Sequence, residues 1–185
     1  MRNLVFVLVT LFSTLSWAQN FYTAPQSTAK FFAKARPSAL NIHGENGKLR
    51  GIIQIQNSQV KGKFEVETST FTTGLGVRDN HLKDKVLKPK EHPKATLVLD
   101  PVTLPADWQP GKNLETKFKG NLTIVGQTKP VEGTVKISGP SMAAEVSFDL
   151  KLTEFGIEPP SYMGLKVMNE VSVTASIPSF DSKGK

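Results

Sequence analysis

Apolar and polar side chains alternate over long stretches of this sequence, and the alternation constrains the fold more than any other feature. One parity of the clearest stretch consists of Met142, Ala144, Val146, Phe148, Leu150 and Leu152. The intervening residues are almost all polar. Because successive side chains of a strand point to opposite faces, this stretch predicts a strand with one dry and one wet face. The same pattern recurs in residues 29–36, 63–67, 117–124, 131–137 and 171–177.

Many one-sided strands in one small domain indicate either two packed sheets or a closed barrel. Several of the predicted strands are long and are joined by short turns, which favours an up-and-down barrel. About eight strands enclose enough room for side chains or for one ligand. We therefore predict an all-β fold, an antiparallel up-and-down β-barrel of about eight strands with one short helix.

Turn residues separate the alternating stretches. Asn46-Gly47, within Gly44–Lys48, predicts a tight hairpin. Gly126 and Gly139 predict later hairpins, and the polar stretch 106–113 predicts a surface loop.

One segment has helical rather than strand periodicity. Leu82, Val86 and Leu87 are spaced for one face of a helix over Arg78–Leu87, and Pro89 lies just beyond. Either Asp79 or Asn80 is expected to cap its start. The Arg78–Asp79 pair is expected to anchor the helix start through hydrogen bonds to nearby backbone, with contact to a ligand headgroup as the alternative.

The first 18 residues have the pattern of a secretory signal peptide. A basic Arg2 precedes the apolar run 4–12, and small residues precede a predicted cut between Ala18 and Gln19. We therefore expect a periplasmic or secreted protein in which residues 19–185 form a single domain. The sequence has no cysteine, so its core must be stable without disulfides.

The chain is basic, with 23 Lys and Arg against 16 Asp and Glu. The densest basic cluster, residues 83–94, contains Asp84 and Glu91 and has no aromatic residues that would stack on bases. The pattern favours a solvated basic face, with no nucleic-acid partner and no stable membrane span. Such a face would also favour approach to anionic lipid headgroups.

No known catalytic motif is present. There is no thiol nucleophile, no Gly-x-Ser-x-Gly elbow and no phosphate-binding loop. His43, His81 and His92 have no zinc-site spacing. We predict that the protein is not an enzyme and that it has no catalytic residues, metal or cofactor.

Three segments resemble the YceI-like family. They are Ser69–Leu99, which contains the RDNHL motif, Gly120–Val131 (GNLTIVGQTKPV) and Leu152–Ile177, which contains FGI. They occur in family order, and the likeness extends over about Ser27–Ile177. One departure is the basic step Lys85–Pro93, which is often acidic and aromatic in the family. The resemblance implies a lipocalin-like barrel, usually exported, with an apolar interior that holds a polyisoprenoid or a similar amphiphile.

The inward parities supply candidate ligand-binding residues. The predicted wall residues are Phe31, Phe64, Phe118, Leu122, Val146, Phe148, Leu150 and Val173. Trp108, Tyr162 and Met163 are predicted to gate an end of the barrel. Alternation alone does not separate a packed core from an open tunnel, so both interpretations stand for these residues.

The most favoured function is therefore a secreted or periplasmic binding protein that holds a long-chain amphiphilic lipid, of the polyisoprenoid or isoprenoid quinone type, for transport, storage or sequestration. A packed-core interaction or inhibitor protein is one alternative, and an enzyme that modifies an isoprenoid or fatty amide is another. The pattern also leaves open whether two copies form a homodimer.

Overall fold

The alternating segments form strands of an antiparallel β-barrel. The structure is a computed structural model that describes residues 18–37, 41–162 and 164–182. The predicted signal sequence up to residue 17 and Met163 lie outside the described residues. The strands are β1 (Gln19–Thr23), β2 (Thr28–Arg36), β3 (Ile42–Gln56), β4 (Gln59–Glu67), β5 (Lys94–Thr103), β6 (Leu114–Ile124), β7 (Gln127–Ser138), β8 (Ala143–Lys151), β9 (Ser161–Tyr162), β10 (Leu165–Ile177) and β11 (Phe180–Asp181).

The barrel closes through eight of these strands. Each strand from β2 to β7 pairs antiparallel with the next, and β10 pairs with both β8 and β2. Strand β1 adds to the second half of β3, β11 adds to β1, and β9 adds to β10. The predicted antiparallel up-and-down barrel is confirmed.

The predicted inward and outward faces are also observed. In β8, Ala144 and Leu150 are buried, whereas Glu145, Ser147 and Asp149 are exposed. The apolar parity of each barrel strand faces one shared interior, because a closed sheet has only one inside, and Val98 of β5 is an apolar residue on the outer face.

The hairpin predicted at Asn46-Gly47 is wrong, because these residues lie within β3. Ala29 and Phe31 of β2 face Gly47 and Gly44, so two residues of β3 oppose the single Lys30. Asn46 has a φ of 61°, which makes this a β-bulge rather than a turn. A bulge and a tight hairpin both favour Asn-Gly, because both need a positive φ.

The true tight turns lie elsewhere. Val125-Gly126 joins β6 to β7, and Asn57-Ser58 joins β3 to β4, with positive φ at all four residues. The turn predicted near Gly126 is therefore confirmed. The predicted loop at 106–113 lies between β5 and β6.

The predicted helix forms, but it begins earlier and is capped differently. Helix α1 spans Gly76–His81 and continues as a π-helical turn, Leu82–Leu87. Leu75 precedes α1 without a side-chain cap hydrogen bond, so neither Asp79 nor Asn80 caps the start. Both lie inside the helix, where an N-cap contact is out of reach. Two 3₁₀ turns occupy Thr68–Thr70 and Leu152–Phe155.

The two ends of the barrel are covered differently. We call the end where β4 leads into residues 68–93 the helix end, because α1 lies there. We call the opposite end, where the 104–113 segment joins β5 to β6, the loop end.

Candidate functional site

The interior of the barrel is an open cavity of about 730 Å³. Residues of all eight barrel strands line it, together with residues of α1, the π-helical turn and the turn after β8. The packed-core interpretation requires a filled interior, so this cavity favours the tunnel. Its volume lies in the range of small-molecule sites, roughly 300–1,000 Å³.

All eight predicted wall residues line this cavity. They are Phe31, Phe64, Phe118, Leu122, Val146, Phe148, Leu150 and Val173. Alternation predicts them well because it determines which face of a strand each side chain occupies. Their role in holding a ligand remains a prediction.

The predicted gates have different surroundings. Trp108 is outside the cavity lining but packs against the core cluster that contains Phe180. Its indole Nε1 donates to the carbonyl oxygen of Lys112 at 3.1 Å. Tyr162 lies in β9, close in sequence to the cavity-lining Pro160. Met163 lies outside the described residues.

Glycines opposite phenylalanines keep this cavity open. Gly44 faces Phe31 across the β2–β3 pair, and Gly51 faces Phe64 across the β3–β4 pair. A Cβ on either glycine would overlap the ring of its partner. Each ring therefore lies against the backbone of the wall rather than across the barrel.

Gly133 has the same role for two phenylalanines. It faces Phe118 of β6 on one side and Phe148 of β8 on the other. These two rings meet edge to face, with centroids 6.2 Å apart. Sequence reasoning missed these pairs, because they depend on strand register, which alternation does not determine.

The polar residues of the cavity lining are concentrated at the helix end. Seven of the nine lie in the segment 68–85, and the other two are Lys30 and Thr116. The seven are Thr68, Thr73, Arg78, Asn80, His81, Asp84 and Lys85. The cavity surface is thus almost entirely apolar, and most of its few polar lining residues are at the helix end.

The Arg78–Asp79 pair fastens the start of α1 to the preceding loop. The Asp79 carboxylate accepts hydrogen bonds from Thr72 Oγ1 and from the Thr73 backbone N–H, both at 2.6 Å. Arg78 Nη2 donates to the Thr73 carbonyl oxygen at 2.6 Å. The predicted anchoring of the helix start through nearby backbone is therefore observed.

Two properties of this pair bear on the site. The hydrogen bond from Thr72, followed by those from Thr73, lowers the pKa of Asp79 below its usual value, because they stabilise the charged form. Arg78 Nε is buried and has no hydrogen-bond partner among the described residues. Arg78 is also one of the residues that line the cavity at the helix end.

The histidines lie apart from one another in the chain. His43 packs against Phe32 with ring centroids 4.8 Å apart, and His81 ends α1. His92 lies in the turn before β5. The described residues contain no group of three or more side chains suited to hold a metal ion. They also contain no helix with the length and hydrophobicity of a membrane span.

Solved structures share this fold at low sequence identity. A polyisoprenoid binding domain from Saccharophagus degradans, implicated in plant cell wall breakdown, matches with a TM-score of 0.61 and 12% identity, over 88% of this chain and 100% of that one. Burkholderia cenocepacia BcnA matches with a TM-score of 0.64 and 15% identity, over 82% of this chain and 95% of that one. The Campylobacter jejuni YCEI protein matches with a TM-score of 0.55 and 17% identity, over 77% and 86%.

No curated protein matches the chain significantly. The family model of the YceI-like domain matches residues 22–178, which is most of the chain. The protein belongs to the YceI-like domain family, as the resemblance of its RDNHL, GNLTIVGQTKPV and FGI segments implied.

Proposed function

We propose that this protein binds a long-chain amphiphilic lipid, of the polyisoprenoid or isoprenoid quinone type, and carries or sequesters it in the cell envelope or outside the cell. The observation that carries the proposal is the cavity of about 730 Å³, which has an almost entirely apolar surface and most of its few polar lining residues at the helix end. A ligand that matches this cavity has a long apolar tail and one compact polar group.

The tail would supply most of the affinity. Burying one methylene group stabilises a complex by about 0.8 kcal/mol, so a chain of several isoprene units needs few polar contacts. The phenylalanines over Gly44, Gly51 and Gly133 provide flat apolar walls for such a chain. A dry wall of this kind selects for apolar shape rather than for a particular pattern of hydrogen bonds.

The polar group would lie at the helix end. Arg78 lines the cavity there, and its guanidinium group can donate to a carbonyl, hydroxyl or phosphate oxygen. The hydrogen bond from Nη2 to Thr73 holds this guanidinium in place. This arrangement supports one orientation of the ligand, with its tail toward the loop end.

A fatty or isoprenoid substrate would fit the same cavity. The experiment must therefore distinguish lipid binding from two alternatives, an enzyme that modifies the lipid and a barrel that binds no lipid. The signal-peptide pattern of the sequence supports the proposed export, and this support is independent of the cavity. The comparison with the polyisoprenoid binding domain from Saccharophagus degradans supports this ligand class through the shared fold.

The deciding experiment is native mass spectrometry of the mature protein purified from its own envelope, followed by organic extraction. We expect an adduct of several hundred daltons that extracts as an isoprenoid or fatty compound. A protein that stays ligand-free after incubation with isoprenoids would contradict the proposal. Recovery of a chemically altered lipid, with turnover that survives purification, would instead favour the enzyme.

A pair of variants on β10 gives a matched control. Val173→Lys places a charge in the cavity, whereas Thr174→Lys places the same charge on the exposed outer face of the strand. We expect the first to lose the adduct and the second to keep it. Circular dichroism of both variants would show whether the barrel remains folded.

A further inference from the structure

A hydrophobic tip projects from the helix end, beside the cavity. Leu75 is 59% exposed and Val77 is 75% exposed, and both also line the cavity. Only Tyr22 and Val98 are other exposed large hydrophobic residues in the part of the chain that the structure describes. Neighbouring exposed aliphatic side chains mark a contact surface more often than apolar residues scattered singly.

The tip is built to stay exposed. Gly74 and Gly76 flank Leu75, and a Cβ on either glycine would have no atom within 4 Å. The Asp79 carboxylate holds Thr72 and Thr73 at the base of this tip, which we define as residues 74–77. Hydrogen bonds therefore fix the base of the tip, while the side chains of Leu75 and Val77 remain exposed.

The tip is next to the most basic segment of the chain. Lys83, Lys85, Lys88 and Lys90 follow it within the helix-end cover, and no acidic group lies within ion-pair distance of them in the described residues. Three of the four are exposed, and Lys83 is half-buried. Residues 75–94 carry six Lys and Arg against three Asp and Glu.

We propose that the helix end docks on an anionic lipid bilayer, with Leu75 and Val77 inserted among the headgroups and the lysines against their charges. Apolar side chains surrounded by basic residues are the combination that binds such interfaces. A basic surface alone would also suit an acidic protein, but two isolated aliphatic side chains on a narrow tip do not form the broad apolar patch of a protein interface. Docking would allow lipid to pass between the bilayer and the cavity, and this role rests on the proposed function. The docking itself is inferred from the surface alone.

The test is co-sedimentation of the mature protein with vesicles of phosphatidylcholine, either pure or containing about one-third phosphatidylglycerol. We expect binding to the anionic vesicles, weakened strongly when NaCl is raised from about 0.05 to about 0.5 M because salt screens the lysines. Equal or absent binding to both vesicle types would overturn the proposal.

Two variants with matched controls locate the surface. The double variant Leu75→Asn/Val77→Asn should weaken binding by about tenfold, while Val98→Asn, on the outer wall of β5, should leave it unchanged. The triple variant Lys85→Gln/Lys88→Gln/Lys90→Gln should weaken binding by about 100-fold at low salt. The control Lys61→Gln/Lys117→Gln/Lys119→Gln removes the same charge from exposed positions on the strands.

Equal losses of vesicle binding in the two triple variants would show that the net charge of the protein, rather than the helix end, attracts the vesicles. That result would overturn the proposal. Melting curves confirm that each variant is folded. Vesicle binding without a co-purified lipid would support the docking proposal and contradict the proposed lipid-binding function. A lipid adduct without vesicle binding would contradict the docking proposal alone.

Discussion

The two ends of the barrel are made from the same strands but differ in chemistry. At the loop end, Trp108 and Phe180 pack onto an apolar cluster. At the helix end, Arg78, Asp79 and His81 occupy a segment outside the alternating strands. Apart from Lys30 and Thr116, the strand residues that line the cavity are apolar, so most of its polar lining residues come from the segment that interrupts the pattern. The contrast makes the helix end the one with most of the polar lining residues of the cavity.

The largest expected effect tests whether the helix end is packed as firmly as the loop end. Phe155, in the 3₁₀ turn beneath the helix end, is 1% exposed, and Phe180 at the loop end is 9% exposed. Phe155→Ala should lower the free energy of unfolding by about 4 kcal/mol, and Phe180→Ala by about 3 kcal/mol, because each leaves a cavity. Urea unfolding at equilibrium measures both. A loss below about 1 kcal/mol for Phe155→Ala would mean that the barrel is loosely packed around this 3₁₀ turn.

The next effect concerns the hydrogen bonds at the base of the tip. Asp79→Asn should lower the free energy of unfolding by about 2 kcal/mol, because the carboxylate accepts bonds from Thr72 and Thr73. Asp84→Asn is the control, since Asp84 is an exposed carboxylate on the same cover. Similar losses in both variants would contradict a specific role for Asp79.

The same group predicts a pH dependence. Because folding lowers the pKa of Asp79, its contribution is complete above the unfolded value of about 3.9 and is lost as the pH falls through the lower folded value. Wild-type protein should therefore lose more stability than Asp79→Asn between neutral pH and about pH 3. Parallel thermal unfolding curves across that range would exclude the proposed linkage.

A third pair of variants tests the orientation of the ligand. Ala144 lines the cavity near the loop end, and Ala95 lines it near the helix end. Ala144→Phe should weaken binding of a long isoprenoid alcohol such as solanesol by about tenfold and leave farnesol unaffected, because only the long tail reaches that end. Ala95→Phe should weaken both. Fluorescence titration measures the affinities, and the reverse pattern would invert the orientation.

The smallest effect lies in the wall between the ends. Glu65 forms ion pairs with Lys63 at 2.8 Å and with Lys94 at 2.6 Å. Hydrogen bonds from Lys63 and then Lys94 lower the pKa of Glu65. Both lysines are more than half exposed, so Glu65→Gln should change the free energy of unfolding by only about 0.5 kcal/mol. A change above about 2 kcal/mol would show that this wall depends on charge.

Local patterns in the sequence predict the barrel wall but not its closure. The parity of Phe148 and Leu150 predicts their inward orientation, because facing is a property of a single strand. Asn46-Gly47 leads to a wrong hairpin prediction, because a residue with a positive φ occurs both in a tight turn and in a β-bulge within a continuous strand. The partner of Gly133 depends on register between strands, which a single sequence with one-sided alternation leaves open. The Arg78–Asp79 anchor is predictable because its partners are close in sequence.

The glycines behind the phenylalanines have a consequence for how this family diversifies. Gly44, Gly51 and Gly133 do not themselves line the cavity, yet a methyl group on any of them would displace a ring that does. The width of the cavity therefore depends on residues that lie behind its surface. Substitutions at these glycines can therefore narrow or reshape the cavity without changing any residue of its surface, so two family members with identical lining residues can differ in the shape of their interior.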